Sequence, residues 1–279
     1  MTEILRVEDL VVEFPGKAGR KFRAVSGVGF ELGRGRTVGI VGESGCGKST
    51  IARSIVRLQR PTSGRILLDG TDITHLSERR LRPLRARVQM IFQDPYASLD
   101  PHLTAGEIVG EPLKLRGTRA PAERRRLAKE LLERVELPES ALDRRPAEFS
   151  GGQRQRIGIA RALACRPDVL VCDEATSALD VSVQAQVLAL LKNIQAETGV
   201  AYLVISHNLG VVRELADEVL VMRRGEVVEH GPAERVLTAP EAGYTRALRD
   251  AALDPAAITG RKPRHLLAAI GATATERNP

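Results

Sequence analysis

A chain of 279 residues with 43% hydrophobic and 28% charged side chains has enough apolar mass for one large core and too much to stay disordered. No run approaches the roughly eighteen apolar residues of a membrane span, and Met1–Leu10 lacks the basic head and apolar middle of a signal peptide. The expectation is a chain made and kept in the cytosol, so that any membrane role goes through a partner. The net charge of +7 and the pI near 9.7 fit either nucleic-acid binding or a solvated surface that also faces nucleotide and anionic lipid. Cys46, Cys165 and Cys172 have no metal-ligand spacing, and a disulfide is not expected in a reducing compartment.

Along the chain, Leu10–Phe14 and Ala24–Phe30 alternate as strands around a Gly/Lys-rich loop. Thr37–Val41 is a short apolar strand running into glycines, and Ile51–Leu58 follows as a helix that stops near Pro61. Arg65–Leu68 and Val88–Phe92 are further strands. From Asp94 to about Ala164 the texture is helical and rich in arginine. Val109–Arg116 and Ala122–Val135 carry helical spacing, the latter with Leu127, Leu131 and Val135 on one stripe. Strand and helix then alternate again. Val169–Cys172 precedes a helix with Val183, Val187, Leu190, Leu191 and Ile194 on one face; Ala201–Ile205 follows, and Val219–Met222 with Glu226–Glu229 reads as a closing hairpin. This order predicts an α/β fold with a mostly parallel sheet covered on both faces, antiparallel strands at the N-terminus and an inserted α-helical subdomain. The expected division is one domain over 1–237, with the helical part at about 94–164, and a tail over 238–279.

Residues 42–50, Gly42, Glu43, Ser44, Gly45, Cys46, Gly47, Lys48, Ser49 and Thr50, fit the pattern G-x-x-x-x-G-K-[ST] between a strand and a helix. Glycines let the backbone turn its N–H groups toward phosphate, and the helix behind adds its positive dipole end. Lys48 would reach the β- and γ-phosphates and the Ser49 hydroxyl would ligate Mg²⁺. No Asn-Lys-x-Asp stretch is present to read guanine, which favours ATP. Cys46, beside Lys48 and a helix N-terminus, is expected to be a reactive thiol that ATP protects.

Val169–Cys172 ends in Asp173 and Glu174, and a strand end places them at the sheet's carboxyl edge, where ligands bind in open α/β folds. Asp173 would hold Mg²⁺ through water and Glu174 would polarise an attacking water. Ser150, Gly151, Gly152 and Gln153 open another helix, with Ser150 as its cap and two glycines leaving N–H groups free. One nucleotide does not need two such helix ends from one chain.

Here the chain resembles the ATP-binding cassette (ABC) family, a branch of the P-loop NTPases, in which Ser-Gly-Gly-Gln is the signature. In that family the signature of one subunit closes on the γ-phosphate held by the phosphate loop of another. Gln93 in Phe-Gln-Asp-Pro, Ser177-Ala-Leu-Asp180 and His207 in Ile-Ser-His-Asn stand in the family order, and the likeness covers about residues 4 to 237. It implies catalytic roles for Glu174, His207, Lys48 and Gln93. Mg²⁺ would fall to Ser49, Gln93 and Asp173, and nucleotide contacts to residues 42–50, Gln93, Ser150–Gln153, Asp173 and Asp180. Phe149 and Asn208 depart from the common leucine and aspartate. The aromatic that stacks on adenine is either Phe14 or Phe22.

Gln89–Leu99, Asp173–Gln186 and Ala242–Leu248 resemble the ATPases of peptide importers, and Gly152–Arg161 the second of their two ATPases, a type that also serves nickel and opine systems. The partners so implied are a second ABC ATPase, two transmembrane permeases and an extracytoplasmic binding protein, with this chain peripheral at the cytoplasmic face of the membrane. Nucleic acid is not expected as a direct partner. DNA-repair cassettes are split by coiled coils or zinc modules, and neither heptads nor cysteine pairs lie between Lys48 and Ser150.

Overall fold

The computed structural model describes residues 2–16, 20–118, 120–177 and 179–253. Parts of the Gly/Lys-rich loop, Ala178 and the tail beyond 253 lie outside them. In chain order, β1 (Glu3–Pro15) and β2 (Lys21–Gly33) form a long antiparallel hairpin, followed by β3 (Thr37–Gly42) and α1 (Lys48–Ile55). Then come β4 (Ser63–Leu68), β5 (Thr71–Asp72), α2 (Glu78–Arg85) and β6 (Val88–Ile91). Next are the helices α3 (Pro95–Ser98), α4 (Ala105–Leu115), α5 (Pro121–Arg134) and α6 (Gly151–Leu163). β7 (Val169–Asp173), α7 (Val181–Thr198), β8 (Ala201–Ile205) and α8 (Leu209–Leu215) follow, then β9 (Glu218–Arg223), β10 (Glu226–Pro232), α9 (Ala233–Thr238) and α10 (Gly243–Leu253).

The strands divide between two sheets. An antiparallel four-stranded sheet has the order β2-β1-β4-β5, and a six-stranded sheet has the order β10-β9-β3-β8-β7-β6. In the larger sheet every pairing is parallel except the closing β9–β10 hairpin. β3 therefore sits between β8 and β9, far from its sequence neighbours. In register, Ile40 pairs with Ile205 and Asp173 with Ile205, so β3, β7 and β8 end together at one edge.

β7 shows why the fold is layered. Leu170 and Cys172 face a core shared with α4, α5, α6 and α7, while Val169 and Val171 face a second core beneath the antiparallel sheet and α1. This is the two-residue period of a strand buried on both faces. A third cluster, Val41, Val212, Val219, Val221 and Val236, packs α8 and α9 on the opposite side of β9.

Helix ends follow local chemistry. Thr104 and Glu107 form a capping box at α4, Pro121 opens α5, and Gly199 (φ 68°) closes α7. α1 starts at Lys48, earlier than the apolar spacing indicates, because Gly47 takes φ 108° and turns the chain directly into helix. In α5 the expected stripe is displaced. Ala128, Leu132 and Val135 are buried, while Leu127 and Leu131 are only partly covered, so the small Ala128 carries the contact line. Helices α2, α8, α9 and α10 have no counterpart in the sequence reading. Among the described residues, no helix is long and apolar enough to cross a membrane.

Candidate active site

Gly42 leaves β3 with φ 150°, and a Cβ there would run into the Met222 carbonyl of β9 and Cys46 Sγ. A Cβ on Gly47 would strike the carbonyl of Ala24 in β2. These glycines let residues 42–47 curl tightly between the two sheets. Two backbone bonds fix the loop's outer side: Gly225 N–H donates to Cys46 O at 3.0 Å, and Ser26 N–H donates to Gly225 O at 2.8 Å. Lys48, only 4% exposed, folds back into the curl and donates from Nζ to the carbonyls of Gly42 (2.7 Å) and Glu43 (2.8 Å).

The carboxyl edge brings the other predicted groups to this loop. Ser49 Oγ donates to Asp173 Oδ1 at 2.9 Å. Asp173 is buried, and burial pushes its carboxyl up from the usual aspartate range; the Ser49 hydroxyl opposes that and the neighbouring Glu174 adds to it. Such a carboxyl gains from a nearby cation. Glu174 follows in the left-handed region at φ 49°, costly for a residue with a Cβ, and its N–H is held by Ile205 O at 2.9 Å. That turn aims its carboxylate at two loops. Gln93 Nε2 donates to Glu174 Oε2 at 2.8 Å, and His207 Nδ1 lies 3.3 Å from Oε1. One carboxylate thus gathers the ends of β6, β7 and β8. Asn208 serves its helix as an aspartate would, accepting from Gly210 N–H at 2.8 Å as the cap of α8.

A cleft of about 340 Å³ opens above the loop, lined by Phe14, Phe22, Ser44, Lys48, Gln93 and Glu174 among others. Phe14 and Phe22 face each other across the β1–β2 hairpin. Phe14 leans on the core beneath the sheet, whereas Phe22 is 59% exposed.

Two predicted groups stand apart from this cleft. Ser150 Oγ accepts from Gln153 N–H at 3.3 Å and Gln153 Oε1 accepts from Ser150 N–H at 3.1 Å, a capping box that starts α6. Gly152 lies against Val183 of α7, leaving no room for a Cβ. Arg154, buried, donates to Pro146 O at 2.5 Å and carries the Tyr96 ring 3.6 Å from its guanidinium carbon. Asp180 spends its carboxylate on α7, accepting from Val183 N–H at 2.9 Å and Ser182 Oγ at 2.7 Å. None of Ser150–Gln153 or Asp180 lines the cleft of its own chain.

The family model described as ABC transporter matches residues 25–177, from within β2 to Ser177 just beyond Glu174. The chain belongs to the ABC transporter family. A probable peptide ABC transporter ATP-binding protein of Sinorhizobium fredii is 49% identical to this cassette over 258 residues, covering 90% of this chain and 73% of the relative. An oligopeptide transport ATP-binding protein of Bacillus subtilis is 48% identical over 252 residues, covering 88% and 77%. Among solved structures, a dimeric ATP-binding cassette in a post-hydrolysis state with ADP and Pi superposes at a TM-score of 0.76 with 32% identity, covering 82% of this chain and 99% of that one. The cassette cbiO1 of Clostridium perfringens gives 0.75 with 28% identity, covering 96% and 100%. Like the rest of its family, this cassette binds ATP with Mg²⁺ and hydrolyses it.

The structure corrects the expected reactivity of Cys46. The loop curls its side chain inward, leaving the residue 6% exposed with Sγ 3.8 Å from Lys48 Nζ. Burial raises the thiol above its ordinary range, and the nearby Lys48 ammonium offsets this only in part. Cys46 should therefore react with iodoacetamide more slowly than free cysteine at pH 8, with or without Mg-ATP. A Cys46→Ala control in a labelling time course checks this; rapid labelling that nucleotide blocks would restore the reactive-thiol reading. Burial also pushes Cys172 up to about 12.

Proposed function

We propose that this cassette is one ATPase of a peptide importer, closing with a second ABC ATPase around ATP to drive paired permeases that an extracytoplasmic binding protein supplies. The observation that carries the reading is the division of the site. Phosphate loop, Gln93 and Glu174 line one cleft, with Asp173 held at Ser49 and His207 at Glu174, while Ser150–Gln153 offers a capped helix start outside it. A second subunit presenting its own helix start completes each site, which supports dimeric closure. The names of the B. subtilis and S. fredii relatives support peptides as cargo.

In this reading residues 42–50 wrap the phosphates and Phe22, the exposed member of the aromatic pair, stacks on adenine. Lys48 exchanges its two carbonyl partners for phosphate oxygens. Ser49, Asp173 and Gln93 are an all-oxygen donor set suited to Mg²⁺, and the buried Asp173 carboxyl paired with Ser49 fits a cation. Bound there, Mg²⁺ would neutralise phosphate charge. Glu174 takes the proton of the attacking water, and His207 steadies the carboxylate and the γ-phosphate side of the cleft. Gln93 ties this chemistry to α3, the segment we assign to the permease contact. We assign 1–237 to the cassette, with 94–164 moving as its helical part, and 238–279 to a tail. The cassette then lies peripherally at the cytoplasmic face of the membrane.

Deleting the gene should abolish uptake of di- or oligopeptides and confer resistance to toxic peptide analogues, measured with a radiolabelled peptide. Unchanged peptide uptake alongside reduced accumulation of nickel or an opine would transfer the cargo assignment and leave the ATPase in place.

A further inference from the structure

The helix α10 reaches back to the phosphate loop across 201 residues of sequence: Glu43 N–H donates to the Tyr244 hydroxyl at 3.3 Å. Glu43 sits where β3 has ended and the loop turns, next to Gly42 at φ 150°. Its carbonyl already accepts from Lys48 Nζ at 2.8 Å and from Cys46 N–H at 3.3 Å. The Tyr244 contact therefore falls on the residue that already organises the lysine.

The phenol is not free to follow the loop. Its ring lies 4.9 Å from the guanidinium carbon of Arg223, the last residue of β9, and Tyr244 and Leu248 pack on the Val41, Val219 and Val221 cluster. The start of α10 is pinned in turn. Glu229 of β10, 9% exposed, accepts from Glu241 N–H at 2.9 Å and Ala242 N–H at 3.1 Å. Burial works against charge on Glu229, and its carboxyl is nonetheless held below its ordinary value, with those two amides among the causes. A mostly buried carboxylate thus spends its hydrogen bonds on seating one helix, and that helix delivers one hydroxyl to the phosphate loop.

We propose that Tyr244 is a positioning residue for the phosphate loop and that α10, through it, sets this subunit's affinity for ATP. The inference rests on reading residues 42–50 as the phosphate seat. A net contribution typical of one hydrogen bond corresponds to a factor of about two to ten in an equilibrium constant. The bond lies outside the cleft, away from Glu174, so its loss should weaken ground-state and transition-state binding alike and leave kcat in place.

The test uses the full chain, with Tyr244→Phe keeping the ring, its packing and the Arg223 contact. Mg-ATP Kd, from competition against a fluorescent ATP analogue, should rise about two- to tenfold. Amide exchange at 42–46 should accelerate while α8 and α9 stay protected, and Tm should fall by no more than a few degrees. In the assembled transporter KM for ATP should rise in step, with kcat unchanged. Lys48→Ala is measured beside it. Loss of binding in Lys48→Ala with an unchanged Kd in Tyr244→Phe overturns the role of Tyr244 alone, whereas unchanged binding in both removes the phosphate-seat reading as well. A larger fall in Tm, with exchange accelerated in α8 and α9 as well as at 42–46, would make the contact merely structural and equally overturn the proposal.

Discussion

Glu174→Gln is expected to cut ATP turnover by about 10²–10⁴-fold, the range for losing a positioned base, while Mg-ATP binding stays intact. The amide keeps the size of the carboxylate and one oxygen to accept from Gln93, so the loops converging at the edge stay together. What it loses is the capacity to take a proton. The strained backbone at φ 49° places that group over the cleft regardless of side-chain chemistry. Closure should therefore proceed and stall, trapping an ATP-bound pair visible by size-exclusion chromatography. Near-normal turnover with permeases and partner ATPase present would remove Glu174 from the role of base.

Ser150→Asp should lower turnover of the assembled pair by about 10²–10³-fold, the range for spoiling a preorganised anion-stabilising site. Aspartate caps a helix as well as serine, so α6 should keep its start, but in the proposed pair a negative charge would then face the partner's γ-phosphate. This chain's own affinity for Mg-ATP should not change, because Ser150 does not line its own cleft. Measuring both quantities separates the two outcomes. Full turnover, or an equal loss of this chain's own nucleotide affinity, would contradict a site shared between subunits. The same logic expects low ATPase activity from the isolated chain.

Some of the site is local in origin and legible in the sequence. The phosphate loop is one such stretch, since its glycines, lysine and serine act within nine consecutive residues between a strand and a helix. The capping box at Ser150 needs only the spacing of Ser150 and Gln153, and the buried strands announce themselves as short apolar runs. Asp173 and Glu174 are placed by their position after such a strand, because parallel strands in one sheet deliver their ends to one edge.

Tertiary structure decided what depends on which groups face each other. Cys46 has the neighbours of a reactive thiol, yet the curl turns it inward and desolvation outweighs the nearby charge. Phe14 and Phe22 are equivalent by composition; the register of the hairpin against the core covers one and exposes the other. The contact line of α5 runs through Ala128, a residue too small to stand out in an apolar stripe, because close packing selects by fit as well as hydrophobicity. The bond between Tyr244 and Glu43 joins residues 201 positions apart, and no local pattern encodes a contact of that separation. Residues near in sequence fixed the chemistry of the phosphate loop, and residues far from it fixed where the loop sits.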